Sequence, residues 1–248
     1  MNETAPKIRL HLDRPLHAGA RIDLDRGQSN YLVTVMRLEA GASVAVFNGR
    51  DGEWRAELTD PHRKAAMLTA RALIRAQESL PDLHLLFAPI RKARTEFIVE
   101  KACEMGCARV RPVATRYTQS ADRLNPDRLY AHMVEAAEQC GGISVPELDP
   151  VQPLATVLAG WEGDRRLIFC DEARLAPPMP VVLADVPRGT PAAVLIGPEG
   201  GFSPEEAERL RAHPATIAAS LGPRILRADT AAVAALALAQ VALGDWSG

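Results

Sequence analysis

Two short apolar strands, each running straight into a Gly-Pro loop, constrain this chain more than any other feature. They are AAVLIGPEGGFSPEEAE (Ala192 to Glu208) and ASLGPRILRADTAAVAALALAQ (Ala219 to Gln240). In the first, Val194, Leu195 and Ile196 form a run too brief for a helix, and Gly197, Pro198, Gly200 and Gly201 then break regular structure. Ser203 followed by Pro204, Glu205 and Glu206 reads as an N-cap, a proline at the first helical position and acids against the positive helix end. Between strand and helix, glycines let backbone amides approach a ligand closely, and Glu199 is the one charged group offered there. The second stretch repeats the design: Leu221 leads to Gly222 and Pro223, then Arg224, Ile225, Leu226 and Arg227, then a helix beginning near Asp229 or Thr230. Two such loops near adjacent strand ends predict one shared pocket, because open α/β sheets bind ligands beyond the carboxyl ends of their strands.

The chemistry of that pocket is bounded by what is missing. A single Gly-Pro loop is most often a plain turn, but a repeated one is not easily idle. Neither loop has the GxxxxGK[ST] pattern of a phosphate cradle, and the first lacks the GxGxxG spacing of a dinucleotide site. This argues against a nucleotide-dependent oxidoreductase. Glu199 would repel a phosphate, so the pocket suits a neutral or cationic small ligand.

At 248 residues, with 47% apolar and 24% charged residues, the chain has ordinary globular composition and room for one large or two modest domains. The amino-terminal MNETAPKIRLHLDR is polar and the longest apolar run, Ala231 to Ala239, is far too short to span a bilayer, which predicts a cytoplasmic protein. Four cysteines are too few and scattered for a disulfide framework. Cys103 and Cys107 have no CxxC or nearby His to complete a metal site, so ordinary buried thiols are expected and no metal. The net charge of −2 conceals an asymmetry. Met1 to Arg75 has twelve Lys and Arg against nine acids, Arg91 to Arg128 nine against five, and Leu129 to Gly248 eight against fifteen. An anionic partner is therefore expected to meet the first half. Twenty-five of the 29 bases are Arg, suited to bidentate phosphate contact and to stacking on bases, although a GC-rich genome produces the same bias.

In chain order, Ile8 to Leu12, Arg21 to Leu24, Ala42 to Phe47, Glu53 to Leu58 and Met67 to Arg75 read as strands, with NGRDG (Asn48 to Gly52) as a hairpin turn. Ser29 to Arg37 reads as a brief helix capped by Ser29 or Asn30. These describe a small barrel over residues 1–76, followed by a polar linker ending in Pro81. From Leu83 onward strands and helices alternate, which predicts a mostly parallel sheet covered by helices on both faces over residues 83–248. Helices are expected from RKARTEFIVEKACEMG to its terminator Gly106, from Asn125 or Pro126 to Gly141, and at Thr156 to Ala159, with an irregular loop at Pro177 to Pro180. The last helix, Asp229 to Leu243, is apolar nearly all round and must be covered on all sides, a subunit interface being the natural cover.

IGPEGGFSPEE and LGPRILRADTA, with FIVEKACEMGCARVRPV and EAAEQCG upstream, resemble the RsmE family of SPOUT methyltransferases over nearly the whole chain. The two carboxyl-terminal motifs together are highly specific. The resemblance implies an α/β fold with a trefoil-knotted carboxyl-terminal sheet, an amino-terminal PUA-like RNA-binding barrel and a homodimer. It also implies S-adenosylmethionine as cofactor and methylation of uridine N3 in 16S ribosomal RNA, within the assembled small subunit. The chain departs from the family pattern where Asn30 and Tyr31 precede LVTVMR in place of a His, where Gly142 replaces an Arg, and where LRADTA puts Ala228 at a hydroxyl position and shortens the acid at Asp229.

Methylating N3 needs a sulfonium donor, an in-line approach and loss of the N3 proton, so holding both partners in attack geometry contributes up to about 7–11 kcal/mol. Backbone groups of Ile196, Gly197, Pro198, Gly200, Gly201, Leu221 and Gly222 are expected to read the cofactor, with Leu221, Ile225 and Leu226 as apolar walls; a valine at Gly200 should crowd it out. Deprotonation moves negative charge onto the base carbonyls, and a fixed cation there lowers the barrier. Arg227 is the first candidate for it and Arg224 the second. Asp229 is either a base or the orienting ion-pair partner of an Arg, the commoner outcome. Glu199 contacts the cofactor's cationic end or a substrate amide, or caps its own loop. RNA contacts are assigned to Arg9, Arg14, Arg37, Arg91, Lys92, Arg94 and Arg116, which would make binding fall steeply with salt. A non-catalytic RNA-binding or ribosome-assembly protein is the competing reading.

Overall fold

The structure, a computed structural model, describes residues 6–119, 121–161, 163–173 and 175–246. The chain divides into two compact units: one contains residues up to Ser79 together with Ala137–Val145, the other Leu80–Ala136 and Pro146 onward. The expected boundaries at residues 76 and 83 did not include the return of 137–145 to the first unit.

In the first unit, β1 (Arg9–His11), β2 (Arg21–Asp23), β3 (Ser43–Phe47), β4 (Glu53–Asp60) and β5 (Met67–Arg75) form one curled sheet in the order β1-β3-β4-β5-β2. Its pairings are antiparallel except that of β1 with β3. Alternate residues of these strands, among them Val44, Val46, Leu58 and Leu68, close a core with Leu32. The short helix starts earlier than its apolar run indicates. α1 (Arg26–Asn30) is capped by Asp25, whose side chain accepts from the Gln28 amide at 2.8 Å, while the Gln28 side chain accepts from the Asp25 amide in a capping box. Ser29 is not the cap; it is buried, donating to the Asp25 carbonyl and accepting from the Ala66 amide. The helix continues as a π-turn over Tyr31–Val35, and Arg37 follows with φ 54°.

Arg9 holds this unit together. Its guanidinium donates to Glu53 at 2.7 Å, to the carbonyls of Ala137, Glu138 and Gly142, and lies 4.6 Å over the Phe47 ring. With its side chain 12% exposed, it is committed internally, so the assignment of Arg9 to an RNA surface is corrected.

The second unit is built on a parallel sheet of seven strands: β6 (Leu83–Phe87), β7 (Arg109–Ala114), β8 (Glu147–Leu148), β9 (Gln152–Pro153), β10 (Arg166–Cys170), β11 (Ala192–Ile196) and β12 (Thr216–Ala219). The order is β12-β10-β11-β6-β7-β8, with β9 also pairing β7. β6 and β11 are buried at every residue, as central strands covered on both faces must be. On one face Leu86, Leu167, Phe169 and Leu195 pack with α4 (Leu154–Ala159) and α6 (Pro204–Ala212). The other face is covered by α7 (Ala228–Leu243), which packs on β6 and β11 and against α2 (Lys92–Glu104). α3 (Pro126–Cys140) begins at the expected proline, whereas the expected loop at Pro177–Pro180 holds the one-turn α5 (Met179–Val182). Cys103 and Cys107 are buried, and the Cys103 thiol donates to the Met133 carbonyl. Among the described residues, no helix is long and apolar enough to cross a membrane.

One polar side chain fixes α7. Gln240 is fully buried, donates to the carbonyl of Met105 at the end of α2, and accepts from the Asp245 amide. Gln240→Leu removes the donor from that part-buried carbonyl and is expected to cost about 1 kcal/mol, read as a lower urea midpoint at unchanged m-value. Within one chain α7 is not covered on all sides, since Val241 is 54% exposed.

Candidate active site

Strand order explains the site. β11 and β12 are not neighbours, as their similar loops led one to expect; β10 lies between them, paired in parallel to both. The loop after β11 and the loop after β12 therefore stand on either side of the end of β10, and together the three chain ends enclose a cleft of about 510 Å³. All nine residues assigned to the cofactor line it: Ile196, Gly197, Pro198, Gly200 and Gly201 from one wall, Leu221, Gly222, Ile225 and Leu226 from the other. Glu199, Arg224 and Arg227 also line it, and each is exposed.

The loop after β11 has its shape because two glycines are required in it. A Cβ at Gly197 would lie 2.6 Å from the ring of Phe202, which is buried and packed edge-on against Phe169 at 5.3 Å. Gly201 has φ +70°, and a Cβ there would lie 2.5 Å from the Glu172 carboxylate. That same carboxylate accepts from the Phe202 amide at 2.8 Å, pinning the loop. The helix that leaves the loop starts as expected, with Ser203 and Glu206 forming a capping box. Gly200 differs: a Cβ there meets the Tyr117 side chain at 3.4 Å. That is ordinary van der Waals contact, so a valine at 200 would crowd the loop on its Tyr117 side.

The floor of the cleft was missed in the sequence. Cys170, Asp171 and Glu172, at the carboxyl end of β10, line it together with Ala228 and Ala231 of α7. Asp171 is buried and held bidentately by Arg211 of α6, at 2.8 and 2.9 Å. The Arg211 pKa is raised, first by that hydrogen bond. Burial, and then the Glu172 carboxylate, push the Cys170 thiol up to about 12, so it stays protonated and is no nucleophile. The available signal was an acidic pair directly after an apolar run in a parallel strand, but nothing local says which strand lies between the two loops.

Asp229 does not line the cleft. Its carboxylate stands 3.4 Å from Arg94 and accepts from the Thr230 amide, an ion-pair geometry rather than that of a base. Arg94 is thereby turned toward α7. Arg91, Lys92 and Arg116 are exposed at the carboxyl ends of β6 and β7, and Arg14 and Arg37 are exposed in the first unit.

A profile described as an RNA methyltransferase domain matches residues 77–240, and one described as an RNA methyltransferase PUA domain matches residues 24–69. The chain belongs to the RNA methyltransferase family of the RsmE type. Within that family, it is 30% identical to ribosomal RNA small subunit methyltransferase E of Synechocystis, covering 88% of this chain and 72% of the relative. It is 26% identical to the protein of that name from Rickettsia conorii, covering 92% and 93%. Among solved structures, a Legionella pneumophila methyltransferase in complex with S-adenosylmethionine is 28% identical with TM-score 0.82, over 96% of this chain and 98% of that one. The Neisseria gonorrhoeae small subunit methyltransferase E, 24% identical with TM-score 0.84 over 97% and 99%, shares the fold.

Proposed function

We propose that this protein transfers the methyl group of S-adenosylmethionine to N3 of a uridine in 16S ribosomal RNA. The observation that carries the reading is the cleft over β12, β10 and β11, in a chain of an RNA methyltransferase family. S-adenosylmethionine supplies an electrophilic methyl group on a sulfonium. The cleft suits it: Gly197 and Gly201 hold its loop in a shape that side chains would disturb, and the carboxylates of Glu172 and Glu199 line it, as a cationic ligand requires. Backbone groups of residues 196–201 and 221–226 hold the donor, while Arg227 and then Arg224 stabilise the negative charge that develops on the base carbonyls. Asp229 serves as the partner of Arg94.

A second copy of the chain as partner is supported by the exposure of Val241 and of Ile225, the latter 78% exposed in the wall of the cleft. The trefoil threading is supported by Pro178, in the β10–β11 connection, bridging in parallel to Ser220 just beyond β12. The assembled small subunit is the proposed substrate.

Calorimetry with S-adenosylmethionine is expected to show one site per chain. Mapping methylated uridines in 16S RNA from cells with and without the gene is expected to show one position lost. A protein that binds no donor is instead an RNA-binding or assembly factor.

A further inference from the structure

The loop after β11 has two sides. One side lines the cleft just described; the other, through Pro198, Glu199 and Gly200, lines a second cleft of about 280 Å³ over the ends of β6 and β7. Its remaining walls are Pro89, Ile90 and Arg91 after β6, and Tyr117 and Gln119 after β7.

Both walls are fixed by hydrogen bonds that leave the cleft open. The buried Thr95 hydroxyl bonds to the Ile90 amide and carbonyl, each at 3.1 Å, clasping the turn that carries Arg91. Opposite, the turn carrying Tyr117 is closed by the Thr118 amide donating to the Thr115 carbonyl, by the Thr115 amide donating to the Thr118 hydroxyl, and by a bond between the two hydroxyls. The Arg116 amide also donates to Glu206 of α6 at 2.8 Å. Yet the tip residue, Tyr117, is 43% exposed. A rigid turn that keeps an aromatic ring in water, beside an arginine and an amide with both donor and acceptor, has the chemistry of a nucleobase platform.

We propose that this second cleft holds a nucleobase of the RNA strand next to the methylated one, stacked on Tyr117, with Arg91 on its phosphate and Gln119 at its edge. This rests on the methyl-transfer reading. The reacting base must reach the donor, which lies across the Pro198–Gly200 wall, so the base in the second cleft is its neighbour. Pro198, Glu199 and Gly200 line both clefts.

The test measures binding of fluorescein-labelled hexauridylate to the full chain by anisotropy, with donor affinity measured separately by calorimetry. Tyr117→Ala is expected to weaken hexauridylate binding about tenfold, and Tyr117→Phe to leave it within about twofold, since stacking needs the ring and not the hydroxyl. Donor affinity should be unchanged in both. The inference is overturned if Tyr117→Ala binds hexauridylate like the wild type, if Tyr117→Phe loses as much as Tyr117→Ala, or if the wild type does not bind it. It is equally overturned if Tyr117→Ala loses donor affinity, which would make Tyr117 a structural prop of the loop. Tyr117-dependent RNA binding in a wild type that binds no donor would support the platform and end the methyl-transfer reading instead.

Discussion

Arg227→Ala is expected to lower kcat by about a hundred- to a thousandfold while S-adenosylmethionine affinity stays within about twofold. The reasoning is differential: loss of the N3 proton builds charge on the base carbonyls only as reaction proceeds, so a cation aimed there acts on the transition state and not on the bound donor. Arg227 lines the cleft, is exposed, and stands at the N-cap of α7, where its backbone position is set by the helix. Single-turnover methylation of small-subunit RNA measures the effect. An unchanged rate would place the cation elsewhere, with Arg224 the next to replace.

Gly201→Val is expected to weaken S-adenosylmethionine binding about a hundredfold. Two costs combine. A β-branched residue at φ +70° pays about 1–2 kcal/mol of backbone strain, and its Cβ displaces the Glu172 carboxylate that fixes the Phe202 amide, about another 1–3 kcal/mol. The loop relieves both by leaving its present shape, which is the shape that lines the cleft. Calorimetry reads the loss, and donor affinity equal to the wild type would show that the loop's conformation does not matter to binding. Glu172→Ala, which removes the obstruction, should tolerate Gly201→Ala better than the wild type does.

What was legible in the sequence followed from local chemistry. The Gly-Pro loops, the Ser203 cap and the start of α3 at Pro126 depend on residues a few positions apart, and the structure has them where the sequence indicates. What was not legible depends on partners far along the chain. That β10 lies between β11 and β12 is a matter of strand order, so Asp171 and Glu172 went unassigned although they floor the cleft. Arg9 looked like a surface arginine because its partners, the carbonyls of Ala137, Glu138 and Gly142, are more than a hundred positions away. The Asp25 cap is local but was obscured by Gly27, a poor helix former in the first turn.

The return of Ala137–Val145 to the first unit means that the chain passes between the two units three times rather than once. A fragment ending in the polar stretch before Leu83 would lack those carbonyls, uncovering the Arg9 guanidinium and the surface that residues 137–145 pack on. The amino-terminal sheet is therefore not a detachable module: expressed by itself it should be poorly folded, and exchanging it between relatives requires carrying the distant nine-residue stretch along with it.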